Sequence, residues 1–452
     1  MHQSHGWQKE GLAVRYSIIS KGMPVSQIEA ECRALGAKDV NVISALKQVF
    51  CDLEPEAADK LRAIPGLAVK ETKEMRLSDM VVPEDTLSTY QSLQSVYAAS
   101  QGSLFTLLYN LRAAFAPPIL GSVATAVVID TGIRSTHRSL RGKIVYAENF
   151  SDSDTAEDIF DHGTGVAYLI AGGVHAAGQE SGVAPGANLM NLKAIDDEGN
   201  GTNESVILAL DKALALWQDA ENEGLSIDDP MYPNIINMSV GSEDDGDPDD
   251  PIRLACREIY AKAGNKLLLY AAAGNAGPNP GTILLPAACE EVWAVGALTF
   301  EPFQIWPYSS RGPVAVGNLV KPDGVCPAVD ILTASGTGDD AFVVKTGTSF
   351  ACPIGVGSIC LLGEMSQRYG MVEQMLAMTR QDWELFAMLV SRKPEGAPVP
   401  KDNDYGLGMP MGDLVLRRFG VSAGVDSSSM FNAVLGVGMI GAMMPAMIKA
   451  VG

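Results

Sequence analysis

The chain has 452 residues, of which 47% are hydrophobic and 19% are charged. A disordered chain would be depleted in hydrophobic residues and enriched in charged ones, so most of this chain is expected to fold. Its length is too great for one ordinary core and predicts two folded domains with extensions. The formal net charge of -21 would repel phosphate backbones, and no basic stripe stands out. Composition therefore argues against DNA or RNA as a partner.

Seven cysteines are scattered along the chain, and none forms a C-x-x-C pair. Their odd number and wide spacing favour buried free thiols over a zinc or redox site. The first residues contain no charged stretch followed by an apolar one, so a conventional secretory signal peptide is not expected. The sequence therefore favours a cytoplasmic or particle-associated protein over a conventionally secreted one.

Segment 11–78 alternates between strand-like and helix-like patterns. LAVRYSIIS and NVISALKQVFCDLE are strand-like, whereas PVSQIEAECRALGA carries the helical spacing of Ile28, Cys32 and Leu35, and PEAADKLRAI is also helix-like. A Pro-Gly pair then precedes a final strand, LAVKETKEMRL. This order predicts a small α+β domain of the split βαβ, ferredoxin-like type, although other small α+β domains fit the same pattern.

A change of composition separates two further regions. Residues 79–101 are polar and rich in serine and glutamine, which predicts an exposed linker where proteases cut. From 102 to 420, apolar runs such as VATAVVID, ANLMNLKAI, NIINMSV and LLLYAAAG alternate with helical segments. That alternation predicts an α/β fold with a mostly parallel central sheet and helices on both faces. Active groups in such a sheet collect at the carboxyl ends of the strands.

Residues 421–452 form an apolar C-terminal extension. The part from 430 to 452 is apolar apart from Asn432 and Lys449, and it approaches the length that spans a bilayer. Its glycines, Pro445 and the late lysine fit equally well a tail that docks on the protein or on a partner. Membrane contact through 430–452 is therefore one of two open alternatives.

Two candidates for acid–base chemistry lie at predicted element ends. Asp130 ends the apolar run ATAVVID, where the sheet would hold a carboxylate in place to accept a hydrogen bond from an imidazole. His162 directly precedes a glycine-led helix start in HGTGVAYLIAGG, which is expected at the top of the sheet. An aspartate at a strand end is a weak indication by itself, since many α/β proteins place one there for turns or ligands.

Two more polar residues are expected at the same edge of the sheet. Ser349, in KTGTSFACPIGVGSICLL, starts a predicted buried helix, where backbone N–H groups and the helix dipole favour a developing oxyanion. The simpler alternative is that Ser349 only caps the helix. Asn275 ends the apolar run in LLLYAAAGNAGP and offers a carboxamide donor, although a Gly-Asn pair is more often a turn.

Six motifs in chain order resemble those of the subtilisin-like serine proteases: VVIDTG, HGTGVA, NIINMSVG, AAAGNAG, YSSRGP and GTSFACP. The resemblance extends from about residue 103 to about residue 418, and Asp, His, Ser is the triad order of that family. It implies a serine endopeptidase in which Asp130, His162 and Ser349 form the triad and Asn275 lines the oxyanion hole.

The resemblance also implies how partners are bound. The segment Ser239, Val240 and Gly241 would pair with an extended protein or peptide substrate through main-chain hydrogen bonds. The small unit at 11–78 resembles the inhibitory propeptide of the family, which packs on the enzyme and leaves its last strand in the cleft until it is cut. Self-cleavage is expected between about residues 77 and 101. No cofactor is required.

Some positions depart from the family pattern. Ser139 stands where relatives often supply an aspartate to calcium, so no metal ligand is assigned. The acidic stretches 151–158 and 242–250 have suitable oxygen ligands for structural calcium, but such stretches are usually only solvated. Gly165 replaces a common histidine outside the triad. Phe350 replaces a common methionine after the nucleophile, and it cannot form a sulfoxide.

A second class of function stays open on sequence alone. The chain would then be a catalytically silent subtilisin-like fold that serves as a structural or binding module. Inactive relatives usually lose a triad member, whereas all three triad side chains and the asparagine are present here.

Overall fold

The computed structural model describes residues 13–77, 118–173, 181–299 and 302–410. The predicted linker at 79–101 and the apolar extension at 421–452 lie outside the described residues, as does the stretch 430–452. Within the described ranges the chain forms a small unit and a larger one.

The small unit has the element order β-α-β-β-α-β. Its elements are β1 (Val14–Ser20), α1 (Val25–Ala34), β2 (Lys38–Ile43), β3 (Gln48–Leu53), α2 (Pro55–Arg62) and β4 (Leu67–Glu71). The strands lie in the order β2-β3-β1-β4 and pair antiparallel, which is the split βαβ arrangement. Ile28 and Cys32 are buried on α1 as the helical spacing predicts, and they pack with residues of the sheet such as Ile18 and Val49.

The larger unit is built around an eight-stranded sheet. Its elements are β6 (Thr125–Asp130), β7 (Ile144–Asn149), α3 (Gly163–Ala171), β8 (Asn188–Lys193), β9 (Asn200–Thr202), α4 (Asn203–Glu223), β10 (Ile235–Met238), β11 (Val240–Gly241), α5 (Pro251–Ala263), β12 (Leu268–Ala272), β13 (Trp293–Thr299), β14 (Gln304–Ile305), β15 (Gly324–Pro327), β16 (Ile331–Ala334), β17 (Phe342–Lys345), α6 (Thr348–Arg368), α7 (Val372–Leu376), α8 (Arg380–Val390), β18 (Ser391–Arg392) and β19 (Met409–Pro410).

The central sheet is parallel except at one edge. Its order is β14-β13-β12-β10-β6-β8-β7, with β15 also paired to β13, and only the β13–β14 pair is antiparallel. Every residue of β6 is buried. Its Val128 packs on one face with α3 and α6, and its Val127 and Ile129 pack on the other face with α4 and α5. The predicted α/β fold with helices on both faces is confirmed.

The predicted strand LAVKETKEMRL divides into two strands, so the prediction of one continuous strand is wrong. β4 stays in the small unit, and β5 (Glu74–Leu77) leaves it to join β11 and β9 of the larger unit in the order β11-β5-β9. The division follows from the competing partners: β1 binds the edge of β4, whereas strands on both sides bind β5.

The sequence also predicts that the cysteines are buried and that the helix containing Ser349 is buried. All seven cysteines are buried free thiols, as their spacing predicts. Helix α6 is long and apolar enough to cross a membrane, but 83% of its apolar window is buried inside the protein, so it is a core helix.

Candidate active site

Asp130 and His162 meet at the carboxyl end of the central strand β6. The Nδ1 atom of His162 lies 2.6 Å from Oδ1 of Asp130, and both side chains are 0% exposed. One residue ends β6 and the other immediately precedes α3, so the strand and the helix together fix the pair. A histidine held through Nδ1 in this way presents its other ring nitrogen to a reaction partner.

The turn after Asp130 is tied to the helix that follows His162. The backbone N–H of Thr131 donates to Asp130 Oδ1 at 2.7 Å, and the hydroxyl Oγ1 of Thr131 accepts from the N–H of Gly163 at 2.9 Å. A Cβ at Gly163 would lie 2.1 Å from the carbonyl oxygen of Gly132, so only glycine fits there. The close approach of strand end and helix start thus depends on these two glycines and the threonine.

Asp158 supports this turn, a role that its sequence context does not predict. Its Oδ1 accepts from the hydroxyl of Thr131 at 2.8 Å, its Oδ2 accepts from the N–H of Thr164 at 2.9 Å, and it is 1% exposed. Burial raises the pKa of Asp158 against the opposing effect of these hydrogen bonds. The interpretation of 151–158 as a solvated stretch is therefore wrong for its last residue, which holds the turn beside the aspartate–histidine pair.

The residue before His162 adopts a strained backbone. Asp161 has φ of 75°, in the left-handed region that non-glycine residues rarely occupy. Its Oδ1 accepts hydrogen bonds from Ser335 Oγ at 2.8 Å and from the N–H of Gly336 at 2.6 Å. Lys345 adds an ion pair at 3.4 Å. These contacts stabilise the conformation that directs the histidine toward the strand end.

Ser349 lies in the first turn of α6 beside the segment that precedes β11. Its hydroxyl donates to the carbonyl of Ser239 at 3.2 Å, and the hydroxyl of Ser239 donates back to the carbonyl of Ser349 at 2.8 Å. The residue that caps α6 is Gly347, so the alternative in which Ser349 only caps the helix is wrong. The ring of Phe350 lies 5.3 Å from the ring of His162, which brings the start of α6 against the histidine.

Asn275 is oriented by the residue before Ser349. Its Oδ1 accepts from the N–H of Thr348 at 3.0 Å and from the Thr348 hydroxyl at 2.9 Å. Because the carboxamide oxygen is used in this way, the amide nitrogen Nδ2 points elsewhere; it is buried and has no hydrogen-bond partner within the described ranges. A buried, unused donor at this place can stabilise an oxygen that becomes negatively charged.

Strand β5 of the N-terminal unit lies between β11 and β9, and the space between these two strands is called the groove below. Ser239, which contacts Ser349, directly precedes β11 at one side of this groove. Leu77 pairs with Val240 and Arg76 pairs with Gly241 on one side, and Met75 pairs with Gly201 on the other. The Met75 side chain is 0% exposed and packs in the core cluster that includes Ile195 and Val206. The groove therefore holds an extended peptide segment between two strands.

Metal ligands do not assemble among the residues the structure describes. No group of three or more histidine, cysteine, aspartate or glutamate side chains there is arranged to hold a metal ion. Several carboxylates of 242–250 bind lysines of the small unit instead. The structure also explains the glycine at position 165, because a Cβ there would lie 3.0 Å from the side chain of Thr333.

Comparison with known protein families supports the same fold. The family model described as the subtilase family, Peptidase_S8, matches residues 122–385, which is more than half of the chain. The chain belongs to the subtilase family.

Among curated proteins, the chain is similar to the serine protease AprX of Bacillus subtilis (strain 168). The two are 32% identical over 269 residues, which cover 54% of this chain and 58% of AprX. The chain is also 30% identical over 254 residues to the thermophilic serine proteinase of Bacillus sp. (strain AK1), with coverage of 56% and 55%. It thus spans less than two thirds of the length of these two relatives.

Solved structures show the same fold. Fervidolysin from Fervidobacterium pennivorans, a keratinolytic enzyme related to subtilisin, superposes with a TM-score of 0.66 at 19% identity; the match covers 91% of this chain and 62% of fervidolysin. Sphericase superposes with a TM-score of 0.53 at 23% identity, covering 67% of this chain and 97% of sphericase. The match to fervidolysin covers more of this chain than the family model does.

Proposed function

We propose that the protein is a serine endopeptidase that hydrolyses peptide bonds through an acyl-enzyme, with Asp130, His162 and Ser349 as its catalytic triad. The observation that carries the proposal is the hydrogen-bonded, fully buried Asp130–His162 pair at the strand end, with the first turn of α6 packed against the same histidine. Family membership supports the chemistry, and the geometry supports the residues.

The proposed reaction begins with proton transfer. The hydroxyl of Ser349 attacks the carbonyl carbon of the scissile bond as His162 accepts its proton, and the histidine then gives that proton to the leaving amine. Water next attacks the acyl-enzyme by the same route and releases the acid. Asp130 keeps the proton on Nδ1 and stabilises the imidazolium that forms, so it orients the base without taking up a proton itself.

The negative charge on the carbonyl oxygen would be stabilised by Asn275 Nδ2 and by the backbone N–H of Ser349. The carboxamide is already oriented by Thr348, so it does not reorganise when the charge develops. A preorganised donor in a buried site stabilises the transition state more than a solvated one does.

Protein or peptide substrates would bind as an extended strand. The occupied groove supports this mode, since β5 is held by main-chain pairing with β11 and β9. Ser239, Val240 and Gly241 would then be the substrate-binding segment on one side. Main-chain pairing tolerates many side chains, so specificity depends on pockets such as the one that buries Met75.

The small N-terminal unit is proposed to be a self-processed inhibitor. Its last strand fills the groove, and the direction of β5 carries the chain toward Ser239, whose carbonyl contacts the Ser349 hydroxyl. Because Leu77 is the partner of Val240, the first bond to be cut is expected within a few residues after Leu77. This position lies near the start of the range that the sequence predicts.

The proposal is tested by substituting the nucleophile. Ser349→Ala is expected to lower hydrolysis of an unfolded protein such as casein by on the order of a million-fold, and to leave the chain uncut after Leu77. The matched control is Ser358→Ala on the same helix, where the hydroxyl only donates to the carbonyl of Ile354; it should keep activity and processing. If Ser349→Ala hydrolyses casein as the unaltered protein does, the assignment of Ser349 is wrong.

A further inference from the structure

An acidic face of the larger unit meets a basic face of the N-terminal unit. Lys21 pairs with Asp249, Lys70 pairs with Asp247, and Lys73 pairs with both Asp245 and Asp250. Lys73 differs from the other lysines in its position. It precedes β5 directly and therefore belongs to the segment that enters the groove, whereas Lys21 and Lys70 belong to the folded body of the small unit.

The ammonium group of Lys73 is seated between two carboxylates. Its Nζ lies 2.8 Å from Oδ2 of Asp250 and 2.9 Å from Oδ2 of Asp245. The Asp250 side chain is 2% exposed, and its other oxygen accepts from the N–H of Ile252 at the start of α5. The carboxylate of Asp250 is thus nearly buried and held by a second hydrogen bond, whereas the carboxylate of Asp245 is 56% exposed.

The main chain at Lys73 is held as well. The N–H of Asn203, the first residue of α4, donates to the carbonyl of Lys73 at 2.9 Å. Main-chain contact with the groove therefore begins at Lys73 and continues through β5. An extended segment from another protein that followed the same path would place its own side chain at the two carboxylates.

We propose that Asp245 and Asp250 form a subsite for a lysine or arginine side chain of the substrate, two residues before the side chain that fills the pocket of Met75. The inference rests on the proposed function and narrows its substrate class to segments with a basic residue at that position. The carboxylate pair becomes available to a substrate when the N-terminal unit leaves.

The charge environment fits a cation at this place. Burial alone would lower the pKa of Lys73, but hydrogen bonds to Asp250 and Asp245 outweigh it and raise that pKa. The hydrogen bond from Lys73 lowers the pKa of Asp245. A neutral side chain would leave the nearly buried Asp250 without its cation, and an acidic one would place like charges together.

The test compares three quenched-fluorescent peptides that copy residues 70–83 and differ only at the position of Lys73, with lysine, alanine or glutamate there. The full chain is first incubated until its own processing is complete. The lysine peptide is expected to have a kcat/KM about threefold to tenfold above the alanine peptide, with glutamate lowest, since a charge-assisted contact of partly exposed groups has this size. The preference should shrink at about 1 M salt.

Variants assign the preference to the subsite. In Asp245→Asn with Asp250→Asn, the ratio of kcat/KM between the lysine and alanine peptides should fall toward one; asparagine keeps the cap of α5. Glu243→Gln, an exposed acidic residue of the same loop with no ion pair in the described chain, should leave that ratio unchanged.

The outcomes separate the two proposals. If no peptide is cut by the processed chain, the proposed function fails. If all three peptides are cut at equal rates, or if the ratio survives in the double variant, the proposed subsite is wrong while the peptidase assignment stands. A further peptide, with aspartate in place of Met75, tests whether the peptides bind in the groove. The unaltered protein and both sets of variants should all cut it more slowly than the lysine peptide.

Discussion

The edge of the sheet that holds the proposed triad and the contact between the two units use polar groups in opposite ways. At the edge, Asp130, His162 and Ser349 are each 0% exposed and are held by the ends of a strand and two helices. At the contact, Lys73 is 31% exposed and Asp245 is 56% exposed. Buried hydrogen bonds fix a geometry, whereas half-exposed ion pairs are weak and screened by salt. The first region therefore has the fixed geometry that the proposed catalysis needs, and the second has the weaker contacts that the proposed release of the N-terminal unit needs.

Asp130→Asn should produce the largest effect short of losing the nucleophile. An asparagine keeps the shape but favours the wrong histidine tautomer, so kcat is expected to fall by about 10⁴-fold. Steady-state hydrolysis of a fluorogenic peptide measures this. The matched control is Asp158→Asn, a buried carboxylate that supports the turn without contacting His162 Nδ1, and its loss should be much smaller. Equal losses in the two variants would show that both residues act only through structure.

Asn275→Ala should remove one donor from the proposed oxyanion hole. We expect kcat to fall by about 10²-fold to 10³-fold with little change in KM, because the interaction forms mainly in the transition state. Asn279→Ala, at an exposed position four residues later, is the control and should leave both constants unchanged. A large rise in KM with unchanged kcat would contradict a role in charge stabilisation.

Removing charge at the contact should weaken the docking of β5 without altering the positions of Asp130, His162 and Ser349. In a Ser349→Ala background, Lys70→Ala with Lys73→Ala is expected to increase hydrogen exchange of the β5 amides about threefold to tenfold, and added salt should do the same to the parent. Lys60→Ala, which removes a lysine without an ion pair in the described residues, is the control. Unchanged exchange in the double variant would mean that main-chain pairing alone holds the strand.

Acid should act on the contact in the same direction as salt. The hydrogen bond from Lys73 lowers the pKa of Asp245, and for Asp247 the pairing with Lys70 outweighs burial and also lowers the pKa. A carboxyl with a depressed pKa in the docked state stabilises docking above its ordinary pKa and loses this contribution as pH falls through the docked value. Protection of β5 should therefore decrease below about pH 4, after correction for intrinsic exchange. Protection that rises on acidification would contradict this linkage.

Phe350→Met should have the smallest effect under ordinary conditions. Phe350 is buried against the ring of His162, and methionine nearly fills the same space. Activity of the variant should stay within a few-fold of the parent, but peroxide should inactivate it faster because a sulfoxide beside the nucleophile is polar and larger. Residual activity after timed peroxide treatment measures the difference; equal inactivation rates would place the sensitive group elsewhere.

The sequence predicts the buried parts of this molecule better than its long-range contacts. Strand β6 is predictable because both its faces are buried, which produces a continuous apolar run. The departure of β5 is not predictable, since its sequence alternation suits either sheet and its partners lie more than a hundred residues away. Only the fold brings them together.

The polar residues that support the site also divide into features that the sequence predicts and contacts that it does not. Asn275 is predictable because it ends an apolar strand in a glycine-rich turn, but the contact of its Oδ1 with Thr348 is not. Asp158 lies in a stretch of acidic and small residues that is indistinguishable from a solvated loop, although it is 1% exposed in the fold. The pairing of Lys73 with Asp250 joins two stretches that the sequence gives no reason to connect.

The most direct test of Ser349 as the nucleophile is covalent labelling with a fluorophosphonate during processing, followed by mass mapping of the adduct. We expect one adduct, on Ser349, which appears as the N-terminal unit is cut away and is absent from Ser349→Ala. A folded chain that has lost its N-terminal unit and still carries no label at Ser349 would show that Ser349 is not the nucleophile.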